Sequence, residues 1–193
     1  MSFAIIRLGK DSVEDIRALD ALHQSPADPV QLTIHCTQVP QALTAGDYAF
    51  LCFGSDNDKG TPTEWVRGVR ALGTVQNKSG GPGYSDSWTV EVEVKVVLPG
   101  SVAKKDLLSK AHAAYYWFSD IPVIGIEAFS NQTVQLVKET EPNQNVAALV
   151  YGLGSIYPSF RTDTLREYPA LAALFEYVPS DPSVTRKQSE EGP

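Results

Sequence analysis

The sequence predicts an α+β domain in which helices flank a β-barrel-like core. From Trp88 to Leu98, apolar and polar side chains alternate as in a half-buried strand. The segment from Tyr48 to Phe53 is a short, unbroken apolar run, which is typical of a strand buried on both faces. The segment from Ser12 to Leu22 repeats apolar residues at helical spacing after a capping serine, and it predicts a helix.

The remaining segments supply further strands and helices. The alternation in Val30 to Cys36 predicts a second half-buried strand, and two glycines within Trp65 to Val75 predict a bulged or tightly curved one. In the strand from Trp88 to Leu98, the valines at alternate positions after Trp88 are expected to point inward. Further strands are predicted at residues 3–8, 123–126 and 134–137, and helices at residues 40–43 and 102–112.

The chain divides by composition into one domain and a tail. Residues 1–178 are predicted to form a single domain, with a barrel core over about residues 30–137 and a helical appendage, packed on the barrel, over about residues 145–178. Residues 179–193 are rich in proline, serine and charge, which bury too little apolar area to order a chain. We therefore predict that they form a disordered linker or tail.

Composition limits the class of protein. The 193 residues are 42% hydrophobic and 20% charged, as in ordinary globular domains. No segment approaches the roughly 18 apolar residues of a membrane span, and the start lacks the pattern of a secretion signal, so a cytoplasmic location is expected. The net charge of −7 argues against a broad basic face that binds polyanions unspecifically, but not against a local site.

The sequence contains none of the common catalytic or metal-binding motifs. His23, His35 and His112 lie far apart, without zinc-ligand spacing, so neither a metal nor a cofactor is expected. Cys36 and Cys52 each lie in an apolar run, where a free cysteine acts as a small buried hydrophobe. There is no GxSxG nucleophile elbow and no GxxxxGK[ST] phosphate loop, and the chain is therefore predicted not to be an enzyme or a motor by itself.

The order of several segments resembles the PUA-like domains, a group that includes the EVE and YTH domains. A Gly-Asp turn enters the apolar strand within Gly46 to Phe53, and a strand rich in small residues follows over Arg67 to Val75. A glycine-rich loop at Gly80 to Ser85 then leads to the tryptophan-containing strand from Trp88 to Leu98. This order matches the family over roughly residues 30–137.

The resemblance implies a pocket that receives one modified nucleobase. In that family the base is methylated adenine in RNA for YTH readers and a methylated DNA base for EVE-like domains of restriction systems. A domain followed by a linker is also similar to the DNA-reading front end of McrBC-type, modification-dependent restriction enzymes. It would then flip a methylated base out of double-stranded DNA and direct a motor domain or nuclease partner beyond residue 193.

Candidate pocket residues are aromatic side chains that stack on a base and polar groups that bind its edge. Trp65 and Tyr84 flank glycine-bearing loops, where the cage residues of the family lie. A tryptophan that covers the barrel end and a tyrosine that faces solvent are the alternatives. For Ser55 and Asn57 the alternative is ordinary turn chemistry, and for Phe53 and Trp117 it is core packing. The full candidate set is Trp65, Tyr84, Phe53, Ser55, Asn57 and Trp117.

Candidate phosphate contacts are the basic residues around the same loops. Phosphate contacts position a protein on DNA but carry no sequence information. The alternative is that these residues are solvated charges at strand edges. The candidates are Lys59, Arg67, Arg70 and Lys78.

A second class of function fits the same barrel. The acidic composition and the weak basic patch favour a protein-interaction or small-ligand module, and an RNA modified-base reader is a further alternative. Salt dependence discriminates between them, because a nucleic-acid reader loses affinity steeply as salt rises.

Overall fold

A mixed six-stranded sheet forms the centre of the molecule. The structure, a computed structural model, describes residues 1–54, 62–81, 87–112, 134–137, 139 and 143–177. The strands are β1 Phe3–Leu8, β2 Val30–Cys36, β3 Tyr48–Phe53, β4 Gly68–Gly80, β5 Trp88–Val102 and β6 Val134–Leu136, in the spatial order β2-β5-β4-β3-β1-β6. The β1–β3 pair is parallel, and the other pairs are antiparallel.

Helices cover both faces of this sheet. A 3-10 turn at Lys10–Ser12 leads into α1, and a second at Pro169–Leu171 separates α4 from α5. The predicted α+β class is confirmed. The helices are α1 Val13–Asp20, α2 Lys104–His112, α3 Gln144–Ile156, α4 Pro158–Glu167 and α5 Ala172–Phe175. No helix in the described ranges is long and apolar enough to cross a membrane.

Two hydrophobic clusters lie on opposite faces of the sheet, and β3 contributes to both. Because successive side chains of a strand point to opposite faces, Tyr48, Phe50 and Cys52 enter the cluster that contains α3 and α4. The intervening Ala49, Leu51 and Phe53 enter the cluster that contains α1 and β2. Every residue of β3 is buried, as the apolar run predicted.

A bulge in β5 moves its inward side chains from one cluster to the other. Leu72 of β4 pairs with Val96 and Gly73 with Val94, so Lys95 has no partner in the register. Val94 therefore belongs to the α1 cluster and Val96 to the α3 cluster. The prediction that the alternate valines are buried is confirmed, but they do not share one face, because the extra residue reverses the alternation.

Several element boundaries differ from the predictions. The core begins before residue 30, because β1 lies between β3 and β6. The helices predicted as an appendage do pack on the sheet, within one hydrophobic cluster. The strand predicted from Trp65 begins at Gly68, and the predicted helix at residues 40–43 is a single turn, closed by Leu43 N donating to Pro40 O at 3.1 Å. The strand predicted at 123–126 and the tail at 179–193 lie outside the described residues.

Both cysteines are buried and reduced. Cys36 ends β2 and Cys52 lies near the end of β3. Burial raises the pKa of the Cys52 thiol to about 12 and that of Cys36 to about 11. Because the thiolate is the reactive form, both side chains behave as small hydrophobes, as the sequence predicted.

A buried carboxylate joins the start of β1 to the turn before β3. Asp47 is 4% exposed, and its Oδ1 accepts a hydrogen bond from Ser2 N at 2.6 Å. Its Oδ2 accepts bonds from Thr44 N at 2.9 Å and from Thr44 Oγ1 at 3.1 Å. Burial alone would raise the pKa of Asp47, but these hydrogen bonds outweigh it, and the net pKa is lowered.

The lowered pKa gives Asp47 a pH-dependent share in stability. The ionised carboxylate stabilises the fold at pH values above its unfolded pKa of about 3.9, and this share is lost as pH falls through the folded pKa. We expect Asp47→Ala to lower the free energy of unfolding at pH 7 by about 2 kcal/mol, and by less near pH 3. Urea unfolding at both pH values measures this. Asp28→Ala, at an exposed aspartate, is the control, and an equal loss for Asp47→Ala at both pH values would contradict the prediction.

Candidate nucleic-acid interface

Most of the predicted site residues that the structure describes lie where β1 and β3 end. The two strands are parallel, so Leu8 and Phe53 pair at the same edge of the sheet, and Gly68 opens β4 opposite Phe53. We call this region, made of residues 7–10, 53–54 and 65–68, the β1/β3 edge. Ser55, Asn57 and Lys59 follow Gly54 in the sequence, and those three residues lie outside the described part of the chain.

Trp65 closes the base of that segment. Its indole Nε1 donates to Gly54 O at 2.7 Å, and Thr63 Oγ1 donates to Trp65 O at 2.8 Å. The side chain is 9% exposed and belongs to the α1 cluster. In this arrangement the ring has no open face for a base. Trp65 therefore lies as the alternative interpretation expects, as a tryptophan that covers one end of the core.

Phe53 and Arg70 are also core residues. Phe53 is fully buried, and the Arg70 guanidinium carbon lies 6.0 Å from its ring centroid. Arg70 is 2% exposed, and its Nη2 donates to the carbonyls of Leu19, Asp20 and Leu22 at 3.4, 3.1 and 2.6 Å. Nη1 lies 3.5 Å from Asp20 Oδ1. Burial lowers the pKa of Arg70, while the Asp20 carboxylate opposes that shift. Arg70 thus binds carbonyls at the end of α1 and just after it, and it is not placed to meet a phosphate.

Of the predicted phosphate contacts that the structure describes, Arg67 is the one that is exposed to solvent. It is exposed, and no hydrogen bond or ion pair to its guanidinium occurs among the described residues. Lys10 is also exposed. It lies at the same edge, two positions after Leu8, whose carbonyl oxygen accepts a hydrogen bond from Gly54 N at 2.8 Å. Arg17 also approaches this edge, but its guanidinium binds Glu64 at 3.0 Å and is already neutralised. Among the described residues, the exposed cations of this edge that remain are therefore Arg67 and Lys10.

Lys78 lies at the other end of β4. Its Nζ donates to Gln41 O at 3.0 Å and to Pro40 O at 3.4 Å, and it lies 5.9 Å from the ring of the half-buried Trp88. About 35 Å of extended strand separates Lys78 from Arg67 at the usual rise per residue. The two cations therefore do not form one cluster. Tyr84 and Trp117 lie outside the described residues, and their roles stay predictions.

Lys10 was not among the sequence candidates. It is 57 positions from Arg67, and only the parallel pairing of β1 with β3 places both at one edge. The sequence predicted a strand at residues 3–8, but it did not indicate which strands lie beside that strand in the sheet. Among the residues that the structure describes, no three His, Cys, Asp or Glu side chains are close enough to hold a metal ion.

Comparisons with known proteins give limited similarity. No family model matches the sequence, and no curated protein matches it. A hypothetical protein from Leishmania major superposes on 73% of this chain and 89% of its own, with a TM-score of 0.46 and 10% identity. The human THYN1 protein, in a complex with 5-methylcytosine-containing DNA, covers 79% of this chain and 98% of its own, with a TM-score of 0.45 and 13% identity. Both TM-scores are below 0.5.

Proposed function

We propose that this chain is a PUA-like nucleic-acid-binding domain that recognises a modified, methylated base in DNA. The observation that supports it most directly is the exposed Arg67 guanidinium at the β1/β3 edge, where Lys10 is also exposed. An unpaired guanidinium offers a planar fork that matches the oxygens of a phosphate. Two cations at one edge fit local contact with a DNA backbone, even in a chain of net charge −7.

The proposal assigns different roles to the predicted site residues. Ser55 and Asn57 bind the edge of a base that has been flipped out of the duplex, and Tyr84 or Trp117 stacks on it, at about 1–3 kcal/mol per stacked base. Lys59, Arg67 and Lys10 hold the flanking phosphates. Trp65, Phe53 and Arg70 support these groups from within the core, because all three are buried.

Recognition without catalysis requires an effector. We propose that the chain acts together with a motor domain or nuclease of a restriction system, as its resemblance to PUA-like readers implies. The domain itself then contributes binding and selectivity, and cleavage belongs to the partner.

Removing the Arg67 charge is expected to weaken DNA binding and to change its salt dependence. Arg67→Gln should lower the affinity for a modified duplex about ten-fold at low salt and reduce the slope of log K against log[salt] by about 0.9, because one phosphate contact is lost. Fluorescence anisotropy at several salt concentrations measures both. Lys105→Gln, which removes an exposed charge from α2, is the matched control and should change neither. An unchanged salt slope for Arg67→Gln would contradict the assignment.

The modified base is identified by titrating matched duplexes at low salt. The duplexes carry cytosine, methylated cytosine, hydroxymethylated cytosine or methylated adenine, with single-stranded RNA carrying methylated adenine as the RNA arm. We expect a preference for one modified DNA duplex over its unmodified counterpart. Binding to none of these ligands would overturn the proposal and favour the protein-interaction module.

A further inference from the structure

An exposed apolar side chain projects from the β1/β3 edge. Val66 is 66% exposed and lies between the buried Trp65 and the exposed Arg67. A single exposed apolar residue is common on protein surfaces and needs no explanation by itself. Val66 differs because of the backbone that holds it and the cation beside it.

The backbone is fixed on both sides of Val66. On one side, Trp65 is held by its packing and by the hydrogen bond from its Nε1 to Gly54 O at 2.7 Å. On the other side, Gly68 is paired with Phe53 in the sheet, and it has a φ of 143°. A Cβ at Gly68 would collide with the carbonyl oxygen of Val102, so the strands are in close contact there. Val66 and Arg67 thus form a two-residue projection between two anchored points.

We propose, on the basis of the function proposed above, that Val66 is the wedge that enters the base stack when the modified base is extruded. Extruding a base leaves a gap in the duplex, and unstacking costs a few kcal/mol. Proteins that deform DNA offset such costs by inserting an apolar side chain between base steps. A wedge on a fixed backbone loses little conformational entropy on insertion, since its main chain is already ordered.

The charge of this edge favours a nucleic acid over an apolar protein pocket as the occupant, since the nearby Glu64 is already paired with Arg17. Arg67 follows Val66 directly and has no partner among the described residues, and the exposed Lys10 lies at the same edge. Insertion of Val66 into a duplex brings phosphates to both cations. An apolar pocket of a protein would instead leave two unpaired positive charges at its rim, which protein interfaces avoid near their centre.

The test compares Val66→Ala with wild type on two duplexes. One carries the preferred modified base in a matched pair, and the other carries the same base opposite a mismatch, so that less unstacking is required. We expect Val66→Ala to weaken binding to the matched duplex about ten-fold, because the buried apolar area is smaller, and to weaken binding to the mismatched duplex less than three-fold. A 2-aminopurine placed next to the target base should become brighter on binding of wild type, and less so with Val66→Ala.

The outcomes separate the wedge from the function on which it rests. Equal loss on both duplexes would make Val66 an ordinary contact and overturn the wedge, as would unchanged affinity on both. Wild-type protein that binds neither duplex would overturn the proposed function together with the wedge. Circular dichroism and the unfolding midpoint should be unchanged in Val66→Ala, because the side chain contributes little buried area.

Discussion

Trp65→Ala is expected to lower the free energy of unfolding by about 3–5 kcal/mol, the usual cost of truncating a buried large aromatic residue. The substitution removes the ring from the α1 cluster and also the hydrogen bond to Gly54 O at 2.7 Å. Both losses act where β3 ends and the segment before β4 returns to the sheet. Urea unfolding followed by circular dichroism measures the change.

Trp65→Phe separates the two contributions. It keeps most of the apolar surface but cannot donate to Gly54 O, which leaves a buried carbonyl without that partner. We expect a loss of about 1–2 kcal/mol. If Trp65→Ala were as stable as wild type but lost base discrimination, the ring would be a pocket residue and not a packing residue.

Arg70→Met is expected to lower the free energy of unfolding by about 3 kcal/mol, because three carbonyls at the end of α1 lose a charged donor and Asp20 loses its ion pair. Methionine keeps the apolar stem of Arg70 but not its buried guanidinium, so the loss combines the polar contacts with the space that this group vacates. Arg70→Lys keeps the charge but not the fork of donors, and it should be intermediate. Asp20→Asn should cost less than about 1 kcal/mol, since that carboxylate is partly exposed.

The measurement also decides between the two roles of Arg70. A folded, fully stable Arg70→Met protein with weakened DNA binding would show that the guanidinium meets phosphate. An unstable protein whose salt slope of binding is unchanged would show that Arg70 supports α1, as the contacts indicate.

Strands were predictable from the sequence where one pattern dominated. Val30 to Cys36 and Tyr48 to Phe53 have the predicted bounds, because alternation and a short apolar run are local signals. The strand predicted to end at Leu98 continues to Val102 through a proline and a glycine. Local patterns do not show that β4 accompanies β5 over its whole length, and tertiary pairing overrides the weak strand propensity of those residues.

The candidate site was less predictable, because exposure depends on the neighbours of a residue in space. Arg67 and Arg70 look alike in the sequence, because they lie three positions apart in one predicted strand. Arg67 precedes the first pair of β4 and faces solvent, whereas Arg70 meets the end of α1 across the sheet and is buried. Nothing near Arg70 in the sequence indicates that a helix more than 45 residues earlier would supply its partners.

The position of β1 constrains the order in which the chain can fold. The first strand fills the space between β3 and β6, so its two neighbours come from residues 48–53 and from residues 134–136. Both pairings join distant parts of the sequence, and contacts of this kind slow folding because chain entropy is lost before they form. Until β1 docks, β3 and β6 present open hydrogen-bonding edges, which are the sites where strands from other molecules add. Self-association of a partly folded chain is therefore expected to begin at the vacancy that the amino-terminal strand later fills.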